Sequence, residues 1–177
     1  MSFVKIITIL LVLGLAGCQD NLLPSDSDER PTVVTGILGN QVGQIAPDFT
    51  LESTLNTFHT LSSEYSTHDG VVLYFTMWCP VCDSHMSHMR STYIANYPNV
   101  QFLIIDYVTG SVTNARSAQV SGGYSGLTVL ADINQTAMNL YDGTMGTTIV
   151  IDSLGIVQMN QDYSDGSKLG QVLSALP

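Results

Sequence analysis

The stretch Val71-Val72-Leu73-Tyr74-Phe75-Thr76-Met77-Trp78-Cys79-Pro80-Val81-Cys82 decides how the chain is read. Its first seven residues form a near-continuous apolar, β-rich run behind the turn signal Asp69-Gly70, which is the pattern of a buried central strand. A helix is predicted to follow from about Cys79 to Ala95, because Cys82, Met86, Met89 and Tyr93 recur at helical spacing on one inward face. Cys79 and Cys82 therefore sit where strand gives way to helix. There the first thiol meets a helix N-terminus, whose partial positive charge favours thiolate. Pro80 suits the first turn, where its missing N–H would be unpaired in any case. Three-residue spacing brings the two sulfurs within reach of a disulfide. A zinc site would need a second Cys or Cys/His pair of this kind, and no other CxxC exists in the sequence. The pair reads as a redox-active dithiol, with a structural disulfide or a metal site as the alternatives.

Outward from this point, strands and helices alternate. Pro47 to Leu51 and Phe58 to Leu61 read as short strands around a turn at Ser53 to Asn56. Val100 to Asp106 is a further apolar strand, and Ser111 to Val120 a helix. Leu127 to Leu130 reads as a strand, and Asp132 to Tyr141 as a short helix capped by Asp132. Thr147 to Ile151 and Ile156 to Met159 flank the turn Asp152-Ser153-Leu154-Gly155 and predict a hairpin. Ser167 to Leu176 closes the chain as an amphipathic helix. The order implies an α/β domain, a central mixed sheet flanked by helices.

The N-terminus has a different character. Lys5 precedes the apolar run Ile6 to Leu15, which is too short to span a bilayer as a helix, and the run ends in Leu15-Ala16-Gly17-Cys18. A positive flank, a short apolar region and small residues predict a signal peptide over 1–17. The cysteine directly after the cleavage point makes the stretch similar to a bacterial lipobox, which implies lipidation of Cys18. Gln19 in place of Asp after it favours the outer membrane. Residues 18–40, with Ser25-Asp26-Ser27-Asp28-Glu29-Arg30-Pro31, are polar enough to predict a flexible tether, leaving 41–177 as the folded domain. Without the leader, four basic residues face fifteen acidic ones, a net charge of −11. Such a surface does not neutralise phosphates, so nucleic acid is excluded as a partner, and membrane attachment is expected to be covalent.

The strand Val71–Met77, Trp78, the Cys-Pro-Val-Cys turn and the late hairpin and helix resemble the thioredoxin superfamily. Ala46-Pro47-Asp48-Phe49-Thr50-Leu51 is similar to the opening strand of its redoxin branch, which includes TlpA-type membrane-tethered oxidoreductases and peroxiredoxin-like proteins. The resemblance implies a thioredoxin-like fold with extra N-terminal strands. It makes Cys79 the exposed nucleophile and Cys82 the buried resolving thiol, acting on protein or small-molecule thiols and disulfides by way of a mixed disulfide. Trp78, Pro80 and Val81 then form one side of the site, and Met145, Gly146 and Thr147 the facing loop. The dithiol carries the electron pair itself, so no cofactor is expected. The whole reads as a monomeric, lipid-anchored oxidoreductase of the bacterial envelope.

Two positions depart from the superfamily pattern. Gly146 stands where thioredoxins carry a cis-proline. A cis bond there would cost about 3 kcal/mol without proline, so a trans bond and a looser loop with more room beside the sulfurs are expected. Leu73 stands where thioredoxin keeps a buried carboxylate, so the proton of Cys82 needs another acceptor. His85, three residues past Cys82, is the candidate, while His88 reads as an ordinary helix-face residue. Cys79, Cys82, His85 and His88 cannot share one metal, since the helix rises about 13 Å between the first and last. Met86 and Met89 read as core filler. A smaller copper(I) site built on Cys79 and Cys82 with Met145 or a histidine stays open. So does a peroxidase reading, because Thr76 stands three residues before Cys79, as in the peroxiredoxin signature, although the signature's proline falls on Val72.

Overall fold

The computed structural model describes residues 34–176. The leader, Cys18 and most of the predicted tether lie outside the described residues. Seven strands form one sheet: β1 (Thr50–Ser53), β2 (Phe58–Thr60), β3 (Gly70–Thr76), β4 (Val100–Asp106), β5 (Thr128–Ala131), β6 (Thr147–Asp152) and β7 (Val157–Asp162). Among the described residues five α-helices join them: α1 (Leu61–Thr67), α2 (Pro80–Met89), α3 (Val112–Ser121), α4 (Thr136–Tyr141) and α5 (Ser167–Leu173). The strand order is β2-β1-β5-β4-β3-β6-β7, with β3 and β5 parallel to β4 and the other pairs antiparallel. This is the mixed sheet flanked by helices that the sequence implies.

All seven residues of β3 are buried, as expected of a central strand paired on both sides. Its side chains alternate between two cores. Val72 and Tyr74 join Cys82, Met86 and Met89 of α2 on one face, together with Leu169 and Leu173 of α5. Val71, Leu73 and Phe75 join Leu61 of α1 and Ala137 and Tyr141 of α4 on the other. The inward face predicted for Cys82, Met86, Met89 and Tyr93 is buried throughout.

Several boundaries differ from expectation, each because a distant group intervenes. The first strand begins at Thr50, not Pro47, and Leu61 opens α1 where a strand end was expected. The Asp48 carboxylate, fourteen residues upstream, accepts from Ser62 N at 2.9 Å and from the Ser62 hydroxyl at 2.6 Å, so the helix is capped from outside its own sequence. The helix after the dithiol is α-helical only to Met89 and passes into a π-helical turn at Arg90–Ile94, from which the Tyr93 hydroxyl donates to Gly166 O at 2.6 Å. Asp132 does serve α4, accepting from Thr136 N at 2.7 Å and Met138 N at 2.8 Å, but the helix starts four residues later than expected.

Ahead of Gln41 the chain already touches the domain. Gly36 and Gly39 donate to the carbonyls of Gly43 and Ile45, and Asn160 Nδ2 donates to Asn40 O at 2.9 Å. Among the described residues no helix is long and apolar enough to cross a membrane.

Candidate active site

The dithiol lies at the junction of β3 and α2. Cys79 is the N-cap of α2 and Pro80 its first residue. Where an N-cap serine would offer oxygen, Cys79 offers sulfur: Cys82 N donates to Cys79 Sγ at 3.2 Å. A backbone N–H aimed at this sulfur stabilises negative charge on it. Both cysteines are free, Cys79 half-buried and Cys82 fully buried, with their sulfurs 2.8 Å apart. Burial pushes the Cys82 thiol up. Hydrogen bonds from Cys79, from the backbone at Met77 and Cys79, and from Thr76 outweigh that effect and bring it below its ordinary range.

Trp78 reaches its place through a backbone in the left-handed region, φ +59°. Two groups hold it there. Trp78 N donates to the Thr76 hydroxyl at 3.1 Å, and Trp78 Nε1 donates to Asp106 Oδ2 at 2.8 Å. Asp106, the buried last residue of β4, also accepts from Val108 N, Thr109 N and the Thr109 hydroxyl. Beside Cys79 lies a cleft of about 300 Å³ lined by Trp78, Asp83, Met86, Gly122 and Tyr124. Tyr124 donates to Asp83 Oδ1 at 2.6 Å, and the Arg90 guanidinium stands 5.0 Å from its ring centre. Met77, Val81 and Met145 are exposed around the sulfur and give it an apolar rim.

The facing loop is partly as expected. No peptide bond among the described residues is cis, and Gly146 has φ +90°. The loop is not loose, however. Gly146 N donates to Phe75 O at 3.0 Å, and Gly146 O accepts from Tyr163 N at 2.8 Å and from the Thr148 hydroxyl at 3.0 Å. Nor is the space beside it empty. A Cβ on Gly146 would meet the His85 ring at 3.6 Å. Met145 Sδ comes to 3.4 Å from Cys79 Sγ. Thr147 is buried, and its hydroxyl is spent on Asp162 Oδ1 at 3.0 Å and on Thr144, so it braces the loop and does not address the sulfurs.

The surroundings of Cys82 also differ from expectation. Leu73 projects into the opposite core, so the position that matters beside Cys82 is Tyr74. Tyr74 packs in the same core cluster as Cys82, and its hydroxyl lies 3.0 Å from His85 Nδ1. Burial, and then the neighbouring His88, hold the His85 imidazole below its ordinary range. Its ring packs 4.7 Å from that of Tyr163, whose hydroxyl meets His88 Nδ1 at 2.8 Å. His88 is thus half-buried and bonded rather than a free helix-face residue. Thr76 is buried, and its hydroxyl accepts from Trp78 N. Tyr74, Asp106 and Tyr163 are the site residues that sequence reasoning missed. For Tyr74 the alternation of β3 held a signal, but only once the face covered by α2 was known.

The mixed sheet and the helix-capping dithiol together define a thioredoxin-like protein of the redoxin type. The chain belongs to the AhpC/TSA family, whose profile matches residues 42–160. Solved structures share the fold. A candidate protein disulfide isomerase from Bacteroides thetaiotaomicron superposes with a TM-score of 0.65 at 22% identity, over 76% of this chain and 87% of that one. A candidate thiol:disulfide interchange protein DsbE from Chlorobium tepidum gives 0.62 at 24% identity, over 77% and 97%. Peroxidoxin BcpB from Mycobacterium tuberculosis gives 0.59 at 24% identity, over 76% and 95%. No curated protein matches the chain.

Proposed function

We propose that the protein is a thiol–disulfide oxidoreductase working through Cys79 and Cys82 on protein thiols and disulfides in the bacterial envelope, to which a lipid on Cys18 anchors it. The observation that carries this is the unequal pair: one sulfur capping α2 under an apolar rim, the other fully buried three residues on. In the reducing direction, Cys79 thiolate attacks a partner disulfide, forms a mixed disulfide and releases one partner thiolate. Cys82 thiolate then attacks Cys79 Sγ and releases the second. The partner disulfide gains two electrons and the Cys79–Cys82 bond holds the equivalent oxidation. The same steps reversed oxidise a partner dithiol. The apolar rim of Met77, Val81 and Met145 suits an extended polypeptide better than a small charged substrate.

Redox titration of the purified protein against glutathione tests the reading. A reversible two-electron couple that disappears in Cys79→Ser is expected. Thiols that resist oxidation yet bind copper(I) tightly would replace it with the metal reading, and peroxide turnover that survives Cys82→Ser would replace it with the peroxidase reading. Mass spectrometry of the mature N-terminus tests the anchor, for which an unmodified Cys18 is the contrary result.

A further inference from the structure

Val34, Ile37, Leu38, Val42 and Ile45 all face water in the segment that leads into the first strand, where apolar surface gains nothing from its surroundings. Their backbone is nevertheless fixed. Ile45 N donates to Ile37 O and Gly39 N to Ile45 O, each at 2.9 Å. Gly43 N donates to Val157 O at 2.8 Å and Val157 N to Gln44 O at 2.9 Å, which fastens the segment to the start of β7. Ala46 N donates to Gly155 O at 2.8 Å and so brings in the turn that carries Leu154, 80% exposed. Six of the fourteen exposed large hydrophobic side chains among the described residues thus gather in one place.

The patch is also without charge, in a chain whose net charge is −10. No charged residue stands between Arg30 and Asp48, or between Asp152 and Asp162. Two carboxylates border it, and both are engaged. Asp142 accepts from Asn40 Nδ2 at 2.7 Å, and Asp152 accepts from Leu154 N and Ile156 N at 2.9 Å each. A clustered apolar surface of this kind marks contact with a protein or a membrane. Its place in the chain selects the membrane. Only fifteen residues separate Val34 from Cys18, a span of at most about 55 Å when fully extended. A domain tethered that closely meets the bilayer as an intramolecular event, so a modest apolar area is enough to hold it.

We propose that this patch rests on the phospholipid bilayer in which the Cys18 lipid is embedded, with its apolar side chains in the interfacial region. This rests on the anchoring stated above and adds the orientation of the domain. The neutral patch is suited to the contact because the acidic remainder of the surface is repelled by anionic lipid. Its position also suits the chemistry. Asp152 pairs with Gly70, where β3 begins, whereas the dithiol follows Thr76, where β3 ends. The seven residues of the strand separate those ends by about 20 Å. Contact through the patch therefore turns Cys79 away from lipid and toward partners in solution.

Photo-cross-linking of the lipidated full chain in vesicles of phosphatidylethanolamine and phosphatidylglycerol tests the contact. Benzoylphenylalanine is placed at Leu38 or Leu154 in the patch, at Phe58 on the opposite edge of the sheet, or at Val108 beside the dithiol end. All four positions are exposed, so the label does not disturb the core. Phospholipid adducts at Leu38 and Leu154 are expected to exceed those at Phe58 and Val108 at least fivefold. With the label at Ile45, Leu38→Asp together with Leu154→Asp should lower the adduct at least fivefold, a loss that simple nearness to the bilayer would not give. Equal adducts at all positions, no adduct at the patch, or a patch adduct with the mass of a second copy of the chain overturns the proposal while leaving the anchor intact. An unmodified Cys18 in the same mass spectra overturns the anchor and the proposal with it.

Discussion

The indole nitrogen of Trp78 donates to the Asp106 carboxylate at 2.8 Å, across 28 residues of sequence and from the end of one parallel strand to the loop after its neighbour. The bond ties the residue before Cys79 to the strand ends, and it offsets a left-handed backbone that a tryptophan does not favour. Asp106→Asn keeps the size but places an NH₂ group where an acceptor is needed. A loss of about 1–3 kcal/mol of folding stability is expected, measured by urea unfolding, together with a red-shifted emission from this single tryptophan.

Gly146 is required by its backbone and not by crowding. Its φ is +90°, while an added Cβ would make only ordinary contact with His85. Gly146→Ala is therefore expected to cost about 1–2 kcal/mol through conformation. Gly146→Pro should cost more, because it also removes the N–H bonded to Phe75 O and forbids the positive φ. Urea midpoints of the two variants check the order. A proline variant as stable as the native chain would show that the loop readily adopts another path.

Tyr124 gives a pH dependence with a definite sign. Burial and the bond to Asp83 raise its phenol from 10 to about 12, against a smaller opposing effect of Arg90. The folded state therefore keeps a proton that the unfolded chain loses. The stabilisation is complete below pH 10 and disappears as pH rises through 12. Tyr124→Phe should flatten the fall in stability over that window relative to the native protein, read from unfolding midpoints at pH 9 to 12.

Cys82→Ser should leave the nucleophile with no resolving partner. Incubation with a disulfide-bonded substrate is expected to accumulate a covalent adduct at Cys79 that runs as one band without reductant and as two with it. Cys79→Ser should give no adduct. Equal trapping by either variant would assign the nucleophile differently.

How much of the site was legible depends on sequence separation. Cys79, Pro80 and Cys82 were readable because an N-cap, a first-turn proline and an i, i+3 pair are local features that need only the helix to form. The Asp152–Gly155 hairpin was readable for the same reason, since Asp152 Oδ1 accepts from Leu154 N and Ile156 N within the turn itself. Thr147 was expected to face the dithiol because its loop does. Its hydroxyl instead turns to Asp162, fifteen residues away on β7. The caps that Asp48 and Asp132 supply were hidden or misplaced because each acts on a helix that starts several residues away.

By itself, the sequence determined a buried strand, a dithiol at the start of the helix that follows, and the α/β order of the domain. These are consequences of hydrophobic periodicity, turn chemistry and short-range hydrogen bonding. Only the tertiary structure decided which face of β3 lies under α2. That choice sends Leu73 into the far core and brings Tyr74 beside Cys82 and His85. Alternation along a strand divides residues into two sets, but the packing of the helix decides which set meets the thiol.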